Sequence, residues 1–182
     1  MKSSYNKSQL HYGDIFRTIT WCKQPKRIVE FGLLEGYSLL QFAETASSSC
    51  VIEGYDIFEK FQGNSAKRTI VDKFSAFPNV KIQEGDFFTK FRELEPNSID
   101  ILHIDIAYDG HVFEFAFQFY LPLLTDTGIL MLEGGSKERD DVPWMNQYNK
   151  IPIQETLQTY ADVYDIICFE QYPSLTLVRK KV

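Results

Sequence analysis

From Ile28 to Ser38 the sequence reads IVEFGLLEGYS, and this segment is the main indication of the fold. A short apolar run ends at Gly32, and Gly36 opens a helical pattern. A strand, a tight glycine turn and a helix start form the usual seat of a nucleotide-like ligand in an α/β sheet. The glycines let the backbone approach the ligand, and the free N–H groups of the new helix point towards it.

The spacing of this turn argues against a dinucleotide. The fingerprint G-x-G-x-x-G needs glycines where this chain has Leu34 and Tyr37. Leu34 would block the approach of a pyrophosphate to the backbone, and Glu30 and Glu35 would repel its charge. A nucleoside with a positive charge and no phosphate fits better, and S-adenosylmethionine (SAM) is the common cofactor of that description. A nicotinamide-dependent oxidoreductase is the alternative from another class of enzyme.

The pattern Glu30-x-Gly32-x-x-x-Gly36-x-Ser38 resembles motif I of the class I SAM-dependent methyltransferases, especially the small O-methyltransferase-like group. The resemblance implies a Rossmann-like α/β fold. Its sheet would have seven mostly parallel strands with an antiparallel C-terminal hairpin, and helices would cover both faces. The resemblance also implies that Glu30, Gly32, Gly36 and Ser38 surround the methionine part of the cofactor.

Two further acids are candidate cofactor ligands. Asp56 ends the second predicted strand, 20 residues after Gly36 (56 − 36), as expected of the carboxylate that accepts ribose hydroxyls. Asp86 belongs to a Gly-Asp pair that resembles the third cofactor motif of the family, in which the acid contacts the adenine amino group. Asp86 is equally suited to cap the following helix, and the two roles are compatible. Phe58 and Phe61 are predicted to flank the adenine.

Candidate catalytic residues follow the fourth and fifth predicted strands. Asp105 lies at a carboxyl end, where open α/β sheets place ligand-binding groups. The surrounding segment resembles the Ile-Asp-Gly-Asp-His run of related methyltransferases, although this chain has Ile106-Ala107-Tyr108 in place of Gly-Asp-His. Asp105 is therefore the leading candidate to orient or deprotonate the methyl acceptor, followed by Glu133 and His111. His103 is predicted to be a buried core histidine.

The resemblance also raises the question of whether the site binds a divalent metal ion. Related enzymes that use a divalent cation carry two adjacent Asp residues, or Asp-Asn, where this chain has Glu133-Gly134. Asp105 and Glu133 could still offer Mg²⁺ one carboxylate each. Because one ligand is missing, we expect no metal. The same departures leave a second alternative, a SAM- or SAH-binding module without transferase activity.

Composition limits the remaining possibilities. A chain of 182 residues predicts a single domain over 1–182, and its net charge of −6 argues against nucleic acid as a partner. The resemblance implies methylation of an oxygen atom on a small-molecule acceptor. Three scattered cysteines without a C-x-x-C pair predict reduced thiols in the cytoplasm. The sequence contains no apolar run of the kind that predicts a signal peptide or a membrane-spanning helix.

Three segments carry structural predictions. The helix over 110–124 is apolar almost all round, which predicts burial on two sides, by the N-terminal segment or by a second subunit in a homodimer. The polar, glycine-rich segment Gly134–Asp141 is predicted to be a mobile substrate lid. Residues up to Gly13 are predicted to pack loosely.

Overall fold

The computed structural model describes residues 1–7 and 11–181. Its strands are β1 (Arg27–Phe31), β2 (Val51–Asp56), β3 (Val80–Glu84), β4 (Ile99–Ile104), β5 (Leu124–Glu133), β6 (Tyr164–Phe169) and β7 (Leu175–Lys180). They form one sheet in the order β3-β2-β1-β4-β5-β7-β6. Neighbouring strands from β1 to β5 run parallel, whereas β7 is antiparallel to β5 and to β6. The predicted Rossmann-like methyltransferase fold is confirmed.

Helices connect the strands and cover both faces of the sheet. They are α1 (Tyr12–Lys23), α2 (Tyr37–Thr45), α3 (Lys67–Lys73), α4 (Phe87–Lys90), α5 (Gly110–Phe115), α6 (Lys137–Asp140), α7 (Pro143–Gln147) and α8 (Ile153–Tyr160). Short 3₁₀ turns occur at Ser4–Lys7, Phe58–Lys60, Phe91–Glu93 and Leu121–Leu123. Among the described residues, no helix is long and apolar enough to cross a membrane.

The sheet separates two apolar cores because side chains alternate along each strand. On β1, Ile28 belongs to the core that contains Phe16 of α1 and Leu39 of α2. Its neighbour Val29 belongs to the opposite core, with Phe113 of α5. Burial on both faces explains why the central strands read as nearly continuous apolar runs.

The helix after β4 is covered by its own chain. It continues from α5 through a π-helical turn at Ala116–Tyr120. Phe117 stacks on Tyr160 of α8 with ring centroids 4.2 Å apart. On the other side, Phe115 packs against Phe87 and Phe91 at 5.3 and 5.4 Å. In the described part of the chain the cover therefore comes from α8 and from the α4 region, not from the N-terminal segment, which was one of the two predicted alternatives. The other alternative, a homodimer, stays a prediction.

The N-terminal segment is packed against the sheet. Tyr5 is 2% exposed, and its ring centroid lies 5.1 Å from those of Tyr12 and Phe16. Loose packing up to Gly13 is therefore wrong for these residues, because aromatic burial holds them. The part of that prediction that falls on residues 8–10 lies outside the described residues.

The predicted lid is also packed. Gly134, Gly135 and Ser136 are buried, and α6 follows directly. Gly134 has a φ of +107°, and a Cβ there would lie 2.2 Å from the Tyr108 ring. Gly134 thus allows close packing against an aromatic side chain, and the role of this segment as a mobile substrate lid stays a prediction.

Candidate functional site

A cavity of about 560 Å³ lies at the carboxyl ends of β1 to β4. Its walls come from the turn after β1 and from the segments that follow β2, β3 and β4. Lys2, Ser3 and Ser4 of the N-terminal segment also line it, as does Lys150 between α7 and α8. This is the edge at which open α/β sheets bind their ligands.

The glycine turn brings two strand ends into contact. Gly32 has a φ of +86°, and a Cβ there would lie 2.0 Å from the carbonyl oxygen of Asp105. Only glycine fits this close approach without moving the backbone. Gly36, with a φ of +74°, is the N-cap residue of α2. Gly32 and Ser38 line the cavity, whereas Gly36 faces the ring of Phe74.

Asp56 lines the cavity and also organises its wall. Its Oδ2 accepts hydrogen bonds from the backbone N–H groups of Leu33 at 2.7 Å and Leu34 at 3.4 Å. Its Oδ1 accepts from the N–H of Phe58 at 2.6 Å and from the side-chain amide of Asn64 at 3.0 Å. A carboxylate offers about four acceptor sites, so the protein itself engages all of them.

The segment after β3 supplies the next wall. Asp86 accepts a hydrogen bond from the N–H of Phe88 at 2.7 Å, which confirms its predicted role as a helix cap. Asp86 lines the cavity beside Phe87 and Phe88, and Phe61 lines it from the segment after β2. Phe58 is 2% exposed and packs in the core. The prediction that Phe58 flanks an adenine is therefore wrong.

Glu30 lies behind the cavity wall. It is fully buried, and its Oε1 accepts a hydrogen bond from the Ser38 hydroxyl and lies 3.1 Å from Nδ1 of His103. The other ring nitrogen of His103, Nε2, lies 3.2 Å from the Tyr5 hydroxyl. A hydrogen-bonded chain thus runs from the N-terminal segment to Ser38. The predicted core role of His103 is confirmed, while Glu30 supports a lining residue and does not itself line the cavity.

Asp105 lines the cavity in an environment that disfavours its charge. Burial raises the pKa of Asp105 to about 6; the charge on His103 opposes the rise, and that on Glu30 adds to it. Burial also raises the pKa of Glu133, with the charge of Asp105 as the next cause, while the charge of Arg139 opposes the rise. An acid with a pKa near neutrality is suited to accept and release protons.

Glu133 faces Arg139, an arginine that no motif in the sequence predicts. Nη2 of Arg139 lies 3.0 and 3.3 Å from the two carboxylate oxygens of Glu133. The guanidinium lies over the rings of Tyr108 and Tyr172, with its central carbon 4.3 and 5.1 Å from the centroids. Arg139 belongs to the segment predicted to be a lid and matches no motif, so nothing in the sequence marks this pair.

His111 lies outside the cavity at the start of α5. Its side chain is exposed, and its backbone N–H donates to the Asp109 carboxylate at 3.1 Å. Asp109 lines the cavity and pairs with Lys150 at 2.8 Å. A histidine at this point is therefore a helix-start residue.

The structure thus divides the predicted site residues. Those brought together around the cavity are Gly32, Ser38, Asp56, Asp86 and Asp105. Those placed behind or outside it are Glu30, Gly36, His111 and Glu133. Among the described residues, four aspartates and two lysines line the cavity, a balance that favours a cationic ligand over a pyrophosphate.

Solved structures with a similar fold include methyltransferases. The SAH-bound methyltransferase PaMTH1 from Podospora anserina superposes with a TM-score of 0.69 at 21% identity, covering 96% of this chain and 80% of that one. The O-methyltransferase TomG from Streptomyces achromogenes, in complex with SAM, has a TM-score of 0.70 at 15% identity, with 94% and 80% covered. An O-methyltransferase from Bacillus cereus, in complex with SAH, has a TM-score of 0.69 at 14% identity, with 93% and 80% covered.

Sequence comparison gives the family. A search of curated proteins found no match. A family model described as a methyltransferase domain matches residues 29–133, from the middle of β1 to the end of β5. This match contains the glycine turn, Asp56, Asp86 and Asp105. The chain therefore belongs to the methyltransferase domain family, which confirms the resemblance drawn from its glycine turn.

Proposed function

We propose that this methyltransferase uses SAM to methylate an oxygen atom of a small molecule. The observation that carries the proposal is the shared cavity. It joins the glycine turn, Asp56 and Asp86 on one side to Asp105 on the other. One volume thus holds residues suited to bind a nucleoside and an acid suited to act on a second molecule.

The cofactor half suits SAM by shape and by charge. Gly32 lets the backbone of the turn come close to a ligand, and the acidic lining complements a sulfonium and an ammonium group. Asp56 would accept hydrogen bonds from the ribose hydroxyls. These would replace its long hydrogen bond from the Leu34 N–H or its hydrogen bond from the Asn64 amide. Asp86 and Phe61 would lie on the adenine side.

The catalytic half rests on Asp105. Bound SAM would supply a methyl group made electrophilic by its positively charged sulfur. The protein then has to hold the acceptor hydroxyl in line and remove its proton. Asp105 would accept this proton as the hydroxyl oxygen forms its bond to the methyl carbon. The electrons of the broken carbon–sulfur bond stay on sulfur, which leaves SAH as the product.

Calorimetry and a transfer assay test the proposal. SAM and SAH should each bind the full chain at a single site, the cofactor cavity, whereas NAD should not bind. Binding of NAD without binding of SAM would support the oxidoreductase alternative. Transfer of radiolabelled methyl to a panel of small hydroxylated compounds should then require Asp105. Asp105→Asn should lower turnover by about 10²–10⁴-fold while leaving SAM affinity nearly unchanged.

A non-catalytic SAM-binding module is the second candidate. The observation that favours it is the position of the other catalytic candidates, since Glu133 is held by Arg139 and His111 faces outwards. Tight SAH binding with no methyl transfer across the acceptor panel would support this reading.

A further inference from the structure

Asp105 and Glu133 lie side by side at the cavity end of the sheet. Ile104 of β4 pairs with Leu132 of β5, so the two acids occupy the next position along neighbouring parallel strands. By strand alternation, both side chains point to the face that also holds Glu30. The charge on carboxylates that are this close and largely withdrawn from water is stabilised by a positively charged partner, because burial of uncompensated charge is costly.

Arg139 is that partner. It is 8% exposed, and Glu133 is 6% exposed. One nitrogen of its guanidinium contacts both oxygens of Glu133, and its central carbon lies over the rings of Tyr108 and Tyr172. The charge of Arg139 also reaches Asp105, where it favours the ionised carboxylate. The arginine therefore compensates for both acids while lying outside the cavity.

A divalent metal does not fit this arrangement. Mg²⁺ needs a near-octahedral shell of oxygen ligands, and Ca²⁺ needs six to eight of them. Both oxygens of Glu133 face the guanidinium, and a second cation there would be repelled by the first. Within residues 1–7 and 11–181, no cluster of three or more His, Cys, Asp or Glu side chains could hold a metal ion.

We propose that Arg139 is the fixed cation of this site, a positioning residue that anchors Glu133, compensates for Asp105 and excludes a divalent metal. This inference rests on the proposed function, because it assigns the electrostatic support of the acid that would act on the methyl acceptor. In this arrangement the protein supplies the positive charge itself. Methyl transfer should therefore be insensitive to chelators.

The test measures Mn²⁺ binding to the full chain by electron paramagnetic resonance. The wild-type protein should leave the signal of free Mn²⁺ unchanged. Arg139→Met keeps an apolar stem beside the tyrosine rings but removes the charge, and it should gain weak Mn²⁺ binding, measured as a loss of the free Mn²⁺ signal. Arg139→Lys keeps the positive charge and should still exclude Mn²⁺. The double variant Arg139→Met with Glu133→Gln should no longer show the Mn²⁺ binding gained by Arg139→Met. Arg68→Met, at an exposed arginine of α3, is the matched control.

Two results would overturn the inference. One is Mn²⁺ binding by the wild-type protein that disappears in Glu133→Gln. The other is an Arg139→Met variant that folds, as judged by circular dichroism, and still excludes Mn²⁺. If Arg139→Met fails to fold, the wild-type and Glu133→Gln titrations decide between exclusion and binding. Calorimetry with SAM is read separately, so failure of the proposed function is distinguished from failure of this inference.

Discussion

Oδ2 of Asp56 accepts a hydrogen bond from the backbone N–H of Leu33 at 2.7 Å, which ties the end of β2 to the glycine turn after β1. Asp56 is 6% exposed yet lines the cavity. The acid predicted to bind ribose therefore also shapes the turn beside it. A substitution at this position will act on the ligand and on the wall that receives it.

Removing the Asp56 side chain should weaken SAM binding. We expect Asp56→Ala to weaken SAM binding by about 1–3 kcal/mol, because the ribose hydroxyls and the N–H groups of the turn lose their hydrogen-bond acceptor. Isothermal titration calorimetry measures the change. Asp72→Ala removes an exposed carboxylate from α3 and should leave the affinity unchanged. An unaltered dissociation constant for Asp56→Ala would remove Asp56 from the cofactor site.

Gly32 should tolerate no side chain, and Gly63 provides the comparison. Both have a positive φ, of +86° and +98°, but a Cβ on Gly63 meets no atom within 4 Å. Gly63→Ala should therefore cost about 1–2 kcal/mol of unfolding free energy for the backbone conformation alone. Gly32→Ala adds a clash with the Asp105 carbonyl and should cost roughly 3–5 kcal/mol. Urea denaturation of both variants checks this, and equal losses would contradict the close approach of β1 to β4.

The sheet could be predicted from sequence because its signals are local. Apolar runs, turn glycines and acids at strand ends recur along the chain, and the parallel topology brings those ends to one edge. Gly32, Asp56, Asp86 and Asp105 reach the same cavity for this reason.

Side-chain direction could not be predicted in the same way. Glu30 belongs to the motif I pattern, yet it lies two residues before the turn and points into the core, towards His103. The Arg139–Glu133 pair depends on how α6 folds back over β5, and no spacing rule encodes that path. The contact between Tyr5 and His103 joins residues 98 positions apart, so the packing of the N-terminal segment had no local signal.

The N-terminal segment should contribute to stability through Tyr5. Tyr5→Phe keeps the buried ring but leaves Nε2 of His103 without its hydroxyl partner at 3.2 Å. Leaving a buried polar group unpaired costs about 1–3 kcal/mol, and we expect a loss of unfolding free energy in this range. Chemical denaturation measures it, with Tyr148→Phe as a control at a side chain that is 63% exposed. If both variants matched the wild type, the hydrogen bonds that link Tyr5 to Ser38 through His103 and Glu30 would not contribute to the stability of the protein.

Asp105 should make the stability of the protein depend on pH. Its pKa is raised by burial from 3.8 to about 6 in the folded protein, so the folded state binds the proton more tightly than the unfolded state. The stabilisation from the neutral acid is fully present below pH 3.8 and is lost as the pH rises through about 6. The difference of 2.2 pH units (6 − 3.8) corresponds to at most about 3 kcal/mol.

Asp105→Asn removes this ionisation and isolates its effect. The free energy of unfolding of the variant relative to the wild type should rise by up to about 3 kcal/mol between pH 4 and pH 7, with most of the change below pH 6. Urea titrations across this range measure the difference, and Asp162→Asn, at an exposed turn residue, should show no such trend. A constant difference for Asp105→Asn would mean that burial does not disfavour its charge. Asp105 would then lose the property that suits it to take a proton from an acceptor near neutral pH, and the catalytic half of the cavity would need another base.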